Sequence, residues 1–374
     1  MITDALVVAS PGAPFKYQKV DLDDTLRPTE CLVRVKASGV CHTDLNFANE
    51  KSIPDLYPAV LGHEGAGIVE RIGERVTKVK KGDHVVITYT SCGECKYCLR
   101  KETSYCNSWF KYNFGVGRLD GSKVFSERSS GKRITSHFFG QSSFARDILV
   151  SEEALIKVDD DIPFRELAPL GCGLQTGAGA MLNVVQPTHD MTVAVVGVGV
   201  VGLAAIMACK LLDRKPKRII AVDIVPERLE LARKYGATHG INSKVNPNLF
   251  QSLMDISKGE GIDGSIDTTG RPAIIKHLAN ATARKGKVVS VGVSALDAES
   301  SFNIFNTVNA GLSYTGSCEG DSYPPEFIPR LLAAKKEGKF PFDELIKDYA
   351  AKDLDKATHD IHTGSTVKAV LLWD

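Results

Sequence analysis

The sequence predicts an α/β protein in two parts, a mainly β part and a doubly wound parallel sheet. Up to about residue 170, short apolar runs bounded by glycine alternate with polar positions, which is typical of half-buried strands. In CLVRVKASGV, for example, Val33, Val35 and Ala37 fall on one face of a strand. From about residue 190, solid apolar strands alternate with helices, which indicates a parallel sheet covered on both faces.

The elements of the second part follow one another without long insertions. MTVAVV predicts a buried strand, GVGVVG a glycine turn and the apolar run after it a helix. RIIAVDI is the next strand, and PERLELARKYG is a helix with Pro226 in its first turn and Gly236 as its C-cap. GSIDTTG and GKVVSVGV continue the strands, with RPAIIKHLANATA as a helix between them. The chain ends in a last strand, STVKAVLLW.

Composition excludes several classes of partner. The formal net charge of the 374 residues is +1, which indicates neither a nucleic-acid partner nor binding to a membrane surface. No apolar run approaches the roughly 18 to 20 residues of a membrane helix, and the N-terminal stretch lacks the pattern of a secretory signal. We therefore expect a cytoplasmic protein, in which stable disulfides are rare.

Four of the nine cysteines lie close together in CGECKYCLRKETSYC. A disulfide knot, a structural metal site and a redox thiol cluster are the alternatives. The expected compartment argues against the knot, and Cys92, Cys95, Cys98 and Cys106 can converge on one zinc ion as thiolates. Because four thiolates leave no open coordination position, such a site is structural.

GVGVVG matches the dinucleotide-binding pattern G-x-G-x-x-G and lies between a predicted strand and a predicted helix. Gly197 makes the tight turn, Gly199 lets the backbone approach a pyrophosphate, and Gly202 allows close helix–strand packing. Asp223 ends the next strand, where a carboxylate accepts hydrogen bonds from the adenosine ribose and disfavours a 2′-phosphate. NAD is thus favoured over NADP, and Arg228 could either weaken that preference or lie along the ribose edge. The alternative is a glycine turn for another ligand.

A second possible metal set is dispersed along the chain. It comprises Cys41 in GVCHTD, His63 in GHEGAG and Cys172 in GCGLQTG. Two thiolates and one imidazole with an open fourth position are typical of catalytic zinc. Taken singly, each residue is equally well a buried structural one, and spacing alone does not select these three.

These motifs, in this order and spacing, resemble the zinc-dependent medium-chain alcohol dehydrogenase family. The resemblance covers nearly the whole chain, and CEGDSYPPEFIPRLLAAKKEGKFPFDELI and FFGQSSFA are most similar to its aryl- and benzyl-alcohol branch. It implies a GroES-like catalytic domain from both chain ends (1–173 and 317–374) around an NAD-binding Rossmann domain (174–316). It also implies a catalytic zinc on Cys41, His63 and Cys172 and a structural zinc on the four clustered cysteines.

The resemblance also implies functional roles for further residues of this chain. Thr43 matches the hydroxyl that passes on the substrate proton, Asp44 the carboxylate that orients the histidine ligand, and Glu64 the acidic neighbour of the metal. The resemblance also implies contacts with the cofactor, near the nicotinamide or the pyrophosphate, for Thr176, Val201, Val291 and Lys368.

The chain departs from the family at two positions. Asn46 stands where many members have a histidine that ends the proton relay, so the proton must leave through water or the cofactor ribose. His42 stands where some members have an arginine on the pyrophosphate, and a neutral imidazole there would hold NADH less tightly.

The implied reaction is reversible hydride transfer between NAD and a primary aromatic, benzylic or allylic alcohol. Zinc makes deprotonation of the alcohol feasible near neutral pH. Aromatic residues in segments that line the cleft in this family favour a flat substrate. They are Tyr89, Phe110, Tyr112, Phe138 and Phe139.

Three alternatives remain open. The first is an S-hydroxymethylglutathione dehydrogenase, for which nearby Lys111 and Arg118 could bind the substrate carboxylate. The second is a non-catalytic scaffold that binds zinc and NAD, although such a relative is expected to lack one of Cys41, His63 and Cys172. The third is a zinc-ribbon interaction or nucleic-acid module, which the near-zero net charge and the absence of a basic stretch beside the cysteines argue against. The resemblance also implies a homo-oligomer, either a dimer or a tetramer.

Overall fold

The computed structural model describes residues 1–295 and 297–374, which form two compact units. The first unit comprises Met1–Cys172, Tyr323–Pro329 and Asp343–Asp374, and the second comprises Gly173–Ser322 and Arg330–Phe342. Residues 317–322 and 330–342 pack with the second unit. The domain bounds 1–173, 174–316 and 317–374 stay predictions.

The first unit is mainly β, with strands and helices numbered along the chain. Its strands are β1 (Ile2–Val8), β2 (Phe15–Leu22), β3 (Glu30–Gly39), β4 (Ala59–Val60), β5 (Gly65–Ile72), β6 (His84–Ile87), β7 (Phe125–Glu127), β8 (Arg133–Ile134), β9 (Asp147–Ser151), β10 (Leu155–Val158), β17 (Ile346–Ala350) and β18 (Lys368–Leu372). Its helices are α1 (His42–Phe47), α2 (Trp109–Asn113), α3 (Phe164–Leu167) and α11 (Leu354–Thr363).

These strands form two sheets in the described part of the chain, in the orders β4-β1-β2-β7-β8 and β10-β6-β5-β3-β18-β17, with β9 also pairing β3. Val33, Val35 and Ala37 of β3 are fully buried and Arg34 is not, which confirms the predicted alternation. The C-terminal strand β18 pairs antiparallel with β3. Both chain ends therefore build the first unit.

The second unit contains a parallel sheet with helices. Its strands are β11 (Thr192–Val196), β12 (Arg218–Asp223), β13 (His239–Asn242), β14 (Ile262–Asp267), β15 (Thr282–Ser290) and β16 (Ser313–Gly316), and its helices are α4 (Gly173–Gly179), α5 (Val200–Ala208), α6 (Pro226–Tyr235), α7 (Leu249–Ser257), α8 (Pro272–Ala281) and α9 (Ile304–Ala310). Helix α10 (Pro324–Lys336) contributes residues to both units.

The strand order β13-β12-β11-β14-β15-β16 fixes where this sheet can bind a ligand. After β11 the chain forms β12 and β13 on one side of that strand. It then crosses to form β14, β15 and β16 on the other side of β11. Ligands of open α/β sheets bind at the carboxyl ends of strands at such a switch point. The glycine turn after β11 lies at that edge.

Within the described residues, none of the helices is long and apolar enough to cross a membrane.

Candidate active site and metal centres

Folding of the first unit brings together the dispersed ligand set. Ligand atoms of Cys41, His63, Glu64 and Cys172 all lie within 4.8 Å of one another. Cys41 precedes α1, and His63 lies in the loop between β4 and β5. The three predicted ligands therefore converge, and Glu64 joins them.

Asp44, in the first turn of α1, connects the segments that carry two of these ligands. Its carboxylate accepts hydrogen bonds from the backbone N–H of Cys41 and of Gly62, each at 3.1 Å. Its Oδ1 also lies 2.7 Å from Nδ1 of His63, and both side chains are fully buried. Because a carboxylate only accepts hydrogen bonds, Nδ1 carries the proton and Nε2 presents its lone pair.

The donor set fits a zinc ion. Nε2 of His63 is buried and has no hydrogen-bond partner among the described residues. A hydrogen bond from Cys172 holds the pKa of the Cys41 thiol well below its usual value, with further help from His63 and Lys368. A stabilised thiolate and a buried imidazole nitrogen without a partner are the donors that zinc prefers.

Glu64 and Lys368 form a buried ion pair beside these ligands. Burial raises the pKa of Glu64 to about 6, and the charge of Lys368 partly opposes that rise. Lys368 also donates a hydrogen bond to the carbonyl of Val40 at 3.1 Å. The ammonium of Lys368 is enclosed with these partners, and its contact with a pyrophosphate stays a prediction.

Thr43 lies two residues after Cys41 and contacts it. Its hydroxyl is 3.7 Å from Sγ of Cys41, and its side chain is half-buried. His42 and Asn46 are exposed on the same helix. The ring of His42 contacts that of His362 at 6.2 Å between centroids.

The four clustered cysteines converge as predicted. Their sulfurs lie within 4.8 Å of one another, with Cys92 and Cys95 at 3.8 and 3.6 Å from Cys98. Around a tetrahedral ion with Zn–S bonds of about 2.3 Å, neighbouring sulfurs lie about 3.8 Å apart.

Backbone N–H groups complete the environment of these sulfurs. The N–H of Cys92 and of Ser108 donate to Cys106, and that of Cys95 donates to Cys92. Such donors stabilise thiolates. None of the nine cysteines forms a disulfide, which excludes the disulfide knot.

The glycine turn of the second unit has the predicted geometry. Gly197 has a φ of +82°, which favours glycine, and a Cβ on Gly202 would lie 2.1 Å from the carbonyl oxygen of Gly197. Space around Gly199 is open. Val201 lies half-buried in the first turn of α5. The turn therefore offers a free face and a helix N-terminus to a phosphate.

Asp223 holds this turn against the end of β12. Its carboxylate accepts hydrogen bonds from the N–H of Val198 at 2.8 Å, Ile224 at 2.7 Å and Val225 at 3.0 Å. Since a carboxylate offers about four acceptor positions, a ribose contact remains compatible with these bonds. Arg228 is half-buried in α6.

The other residues predicted to touch the cofactor lie elsewhere in the second unit. The hydroxyl of Thr176 donates to the carboxylate of Glu319 at 3.2 Å. Val291 follows β15 and donates its N–H to the carbonyl of Asp267 at 2.9 Å. Their contacts with a cofactor stay predictions.

An aromatic cluster packs on the ring of His63. Phe139 lies nearly parallel to it at 4.5 Å between centroids, and Phe138 meets it edge-on at 5.8 Å. Of the other predicted pocket residues, Tyr89 is buried with its hydroxyl bonded to Thr103, Tyr112 is half-buried, and Phe110 is 74% exposed.

Sequence reasoning missed three members of this cluster. Phe114 packs on Phe139 and on Phe47, each at 5.0 Å between centroids, and Trp109 meets Phe139 at 6.3 Å. Phe47 lies one helical turn after Thr43, and that spacing is the signal that could have identified it.

Comparison with known proteins identifies the family. Residues 27–160 match the family described as alcohol dehydrogenase GroES-like domain, and residues 200–334 match zinc-binding dehydrogenase. The chain is 36% identical over 370 residues to geraniol dehydrogenase of Castellaniella defragrans, covering 99% of this chain and 97% of that protein. It is 32% identical to S-(hydroxymethyl)glutathione dehydrogenase of Paracoccus denitrificans, over the full length of both.

A solved structure resembles the whole chain. The crystal structure of benzyl alcohol dehydrogenase from Acinetobacter calcoaceticus has a TM-score of 0.93 and 39% sequence identity, and the match covers 100% of both chains. The chain belongs to the zinc-dependent medium-chain alcohol dehydrogenase family. The predicted family, two-part α/β fold, dehydrogenase class and cofactors, zinc and NAD, are confirmed.

Proposed function

We propose that this chain catalyses the reversible, NAD-linked oxidation of a primary aromatic, benzylic or allylic alcohol at the metal site of Cys41, His63 and Cys172. The observation that carries the proposal is the packing of Phe138 and Phe139 on the ring of His63. A flat, unsaturated substrate gains about 0.5 to 1.5 kcal/mol per aromatic contact beyond the burial of its area. The relatives named for geraniol and benzyl alcohol, an allylic and a benzylic alcohol, support this substrate class.

The residues of the site have separate tasks in this reaction. Cys41, His63 and Cys172 would hold the zinc ion, which would supply Lewis-acid stabilisation of the substrate oxygen when bound. Asp44 keeps the proton of His63 on Nδ1, and the Thr43 hydroxyl relays the alcohol's proton by accepting it as it releases its own. Because the amide of Asn46 is not a base near neutral pH, the proton then passes to water or to the cofactor ribose.

NAD is the proposed partner rather than NADP. The carboxylate of Asp223 lies at the end of β12, against the glycine turn. A 2′-phosphate near it would meet like charge without a compensating hydrogen bond. Arg228, in the first turn of α6, is the residue that opposes this preference.

The alternative substrate is the glutathione adduct of formaldehyde, which the Paracoccus denitrificans relative supports. Such a substrate needs cations for its carboxylates. Arg118 already pairs with Glu30 at 2.6 Å, and both side chains are nearly buried. Lys111 is exposed. The engagement of Arg118 favours the apolar alcohol.

We include a homo-oligomer in this proposal. None of the described residues of α9 is buried, and Ile304, Phe305 and Val308 are each about three-quarters exposed. The strand β16 lies at the edge of the parallel sheet. Exposed apolar patches and open strand edges are typical of surfaces that another chain covers.

The test is NADH formation, followed by absorbance, with benzyl alcohol and geraniol, run beside ethanol and beside formaldehyde with glutathione. We expect the highest kcat/KM with benzyl alcohol or geraniol and no comparable rate with the glutathione adduct. A higher kcat/KM with the adduct would keep the dehydrogenase assignment and refute the substrate class. Inactivity with all four, in protein that holds two zinc ions per chain, would also refute the substrate class.

A further inference from the structure

The loop that carries His63 is held along its length by one other segment. We call residues 60–65 the histidine loop and residues 137–144 the clamp segment. The carbonyls of Val60, Leu61 and Gly62 accept hydrogen bonds at 2.7 to 2.9 Å. The donors are the Ser142 hydroxyl and the N–H groups of Phe144 and Ser143.

Gln141 of the clamp segment forms hydrogen bonds with the backbone of the histidine loop at His63 and Gly65. Its Nε2 donates to the carbonyl of His63 at 2.9 Å and to that of Thr88, at the end of β6, at 3.2 Å. Its Oε1 accepts from the N–H of Gly65 at 3.0 Å. Two carbonyls and one N–H permit only this orientation of the amide.

Because Gln141 is buried, loss of its hydrogen bonds carries a high cost in free energy. Gln141 is 1% exposed, so any group it leaves without a partner is also cut off from water. The backbone of the clamp segment is strained as well, because His137, Phe139 and Ser142 have φ values of 64°, 51° and 60°. Such conformations persist only where surrounding contacts hold them, and they cluster at functional sites.

We propose that Gln141 is a positioning residue for the metal centre. Its amide fixes the main chain on both sides of His63 and Glu64, as Asp44 fixes the His63 ring from the other side. Together they hold Nε2 of His63 at a set distance from the sulfurs of Cys41 and Cys172. This inference rests on the proposed metal site.

The test is the rate at which zinc leaves the protein for a chromogenic chelator, without substrate or cofactor. Gln141→Met removes the amide at nearly constant size. We expect one of the two zinc ions to leave about ten- to a hundred-fold faster, the range for partners that orient metal ligands. The other ion should leave at the wild-type rate. The kcat should fall while the KM for NAD stays unchanged.

Asn113→Leu is the matched control. Asn113 is also a fully buried amide with three backbone bonds, to both the N–H and the carbonyl of Thr90 and to the carbonyl of Trp109. It contacts no metal ligand through these bonds. We expect this variant to lose stability and yet release the same zinc ion at the wild-type rate.

Two further variants make the result unambiguous. His63→Ala identifies which ion belongs to the proposed catalytic site, because that ion should be missing. Gln141→Glu keeps the acceptor for the N–H of Gly65 but loses the two donated hydrogen bonds, so it should also accelerate zinc release. It replaces Gln141→Met in the test if that variant does not fold.

Unchanged release in the Gln141 variants, or equal acceleration in Asn113→Leu, would overturn the positioning role alone. Full zinc content in His63→Ala would overturn the proposed metal site, and the positioning role with it.

Discussion

The carboxylate of Asp44 lies 2.7 Å from Nδ1 of His63, and neither side chain is exposed to solvent. This contact leaves Nε2 of His63 as the only ring atom able to bind a metal. It follows that the metal site depends on a residue that is not itself among the predicted ligands.

Asp44→Asn should weaken the site without dismantling the fold. The amide keeps one acceptor oxygen, but it loses the second one and the charge that favours the correct tautomer of His63. We expect kcat to fall about ten- to a hundred-fold and zinc to dissociate faster by a similar factor. Asp147→Asn, at another fully buried aspartate that pairs with Arg34, is the control and should keep zinc binding. Equal zinc dissociation in both variants would contradict the prediction.

His63→Ala should nearly abolish turnover without preventing the binding of NAD. Loss of the imidazole removes a metal ligand, whereas the glycine turn and Asp223 belong to the other unit. We expect turnover to fall by at least about 1000-fold while NAD still binds, as measured by calorimetry. His239→Ala, at an exposed histidine of the second unit, should keep full activity. Substantial turnover in His63→Ala would refute the catalytic assignment.

Cys106→Ser should lower the stability of the fold rather than alter the catalytic reaction directly. The variant leaves three thiolates at the structural site, so we expect zinc content to drop from two ions to one per chain. We expect the unfolding midpoint to fall by about 4 °C or more, which corresponds to about 2 kcal/mol. Metal analysis and calorimetry measure both effects. Cys318→Ser lies outside both ligand sets and should retain two ions.

His137 should make the protein acid-sensitive. Burial lowers the pKa of His137 to about 4, with Arg118 nearby favouring the neutral form and Glu30 opposing it. Because the unfolded chain takes up the proton near pH 6.5, this histidine destabilises the fold as pH falls from about 6.5 to 4. Between pH 7 and pH 5 the loss is about 2 kcal/mol.

His137→Asn tests this pH dependence, since asparagine also tolerates the positive φ of this position. We expect the variant to lose less stability than the wild type between pH 7 and pH 5, measured by denaturant unfolding. Parallel losses in the two proteins would show that His137 is not responsible.

Phe305→Asp should disrupt association of the chain with a second copy. A charge at the centre of the apolar face of α9 must be desolvated on contact, which costs free energy. We expect the mass in solution, measured by light scattering, to shift towards the monomer. Lys276→Asp, on helix α8, is the control and should leave the mass unchanged. A monomeric wild type would refute the proposed oligomer.

Much of the fold was predictable because its signals are local. The alternation in β3, the apolar strand before the glycine turn and Gly236 after α6 each depend on a few neighbouring residues. The four-cysteine site was predictable for the same reason, since its ligands fall within 15 residues of chain. Backbone preferences and ligand spacing act over that range without help from the rest of the molecule.

The catalytic set was predictable only through a family resemblance. Cys41, His63 and Cys172 are far apart in sequence, and no periodicity relates them. Their convergence depends on the sheet that joins β3, β5 and β18. The ion pair of Lys368 was unpredictable for the same reason, because local sequence does not reveal that a lysine in a C-terminal strand is buried against Glu64.

By itself the sequence determined the strands, the glycine turn, the four-cysteine site and the family. Only the tertiary structure decided that Asp44 and Gln141 hold His63 from two sides and that Phe139 stacks on its ring. Local elements follow from interactions between near neighbours, which residue type and spacing encode directly. The contacts around His63 join segments far apart in the chain, and they exist only once the sheets bring those segments together.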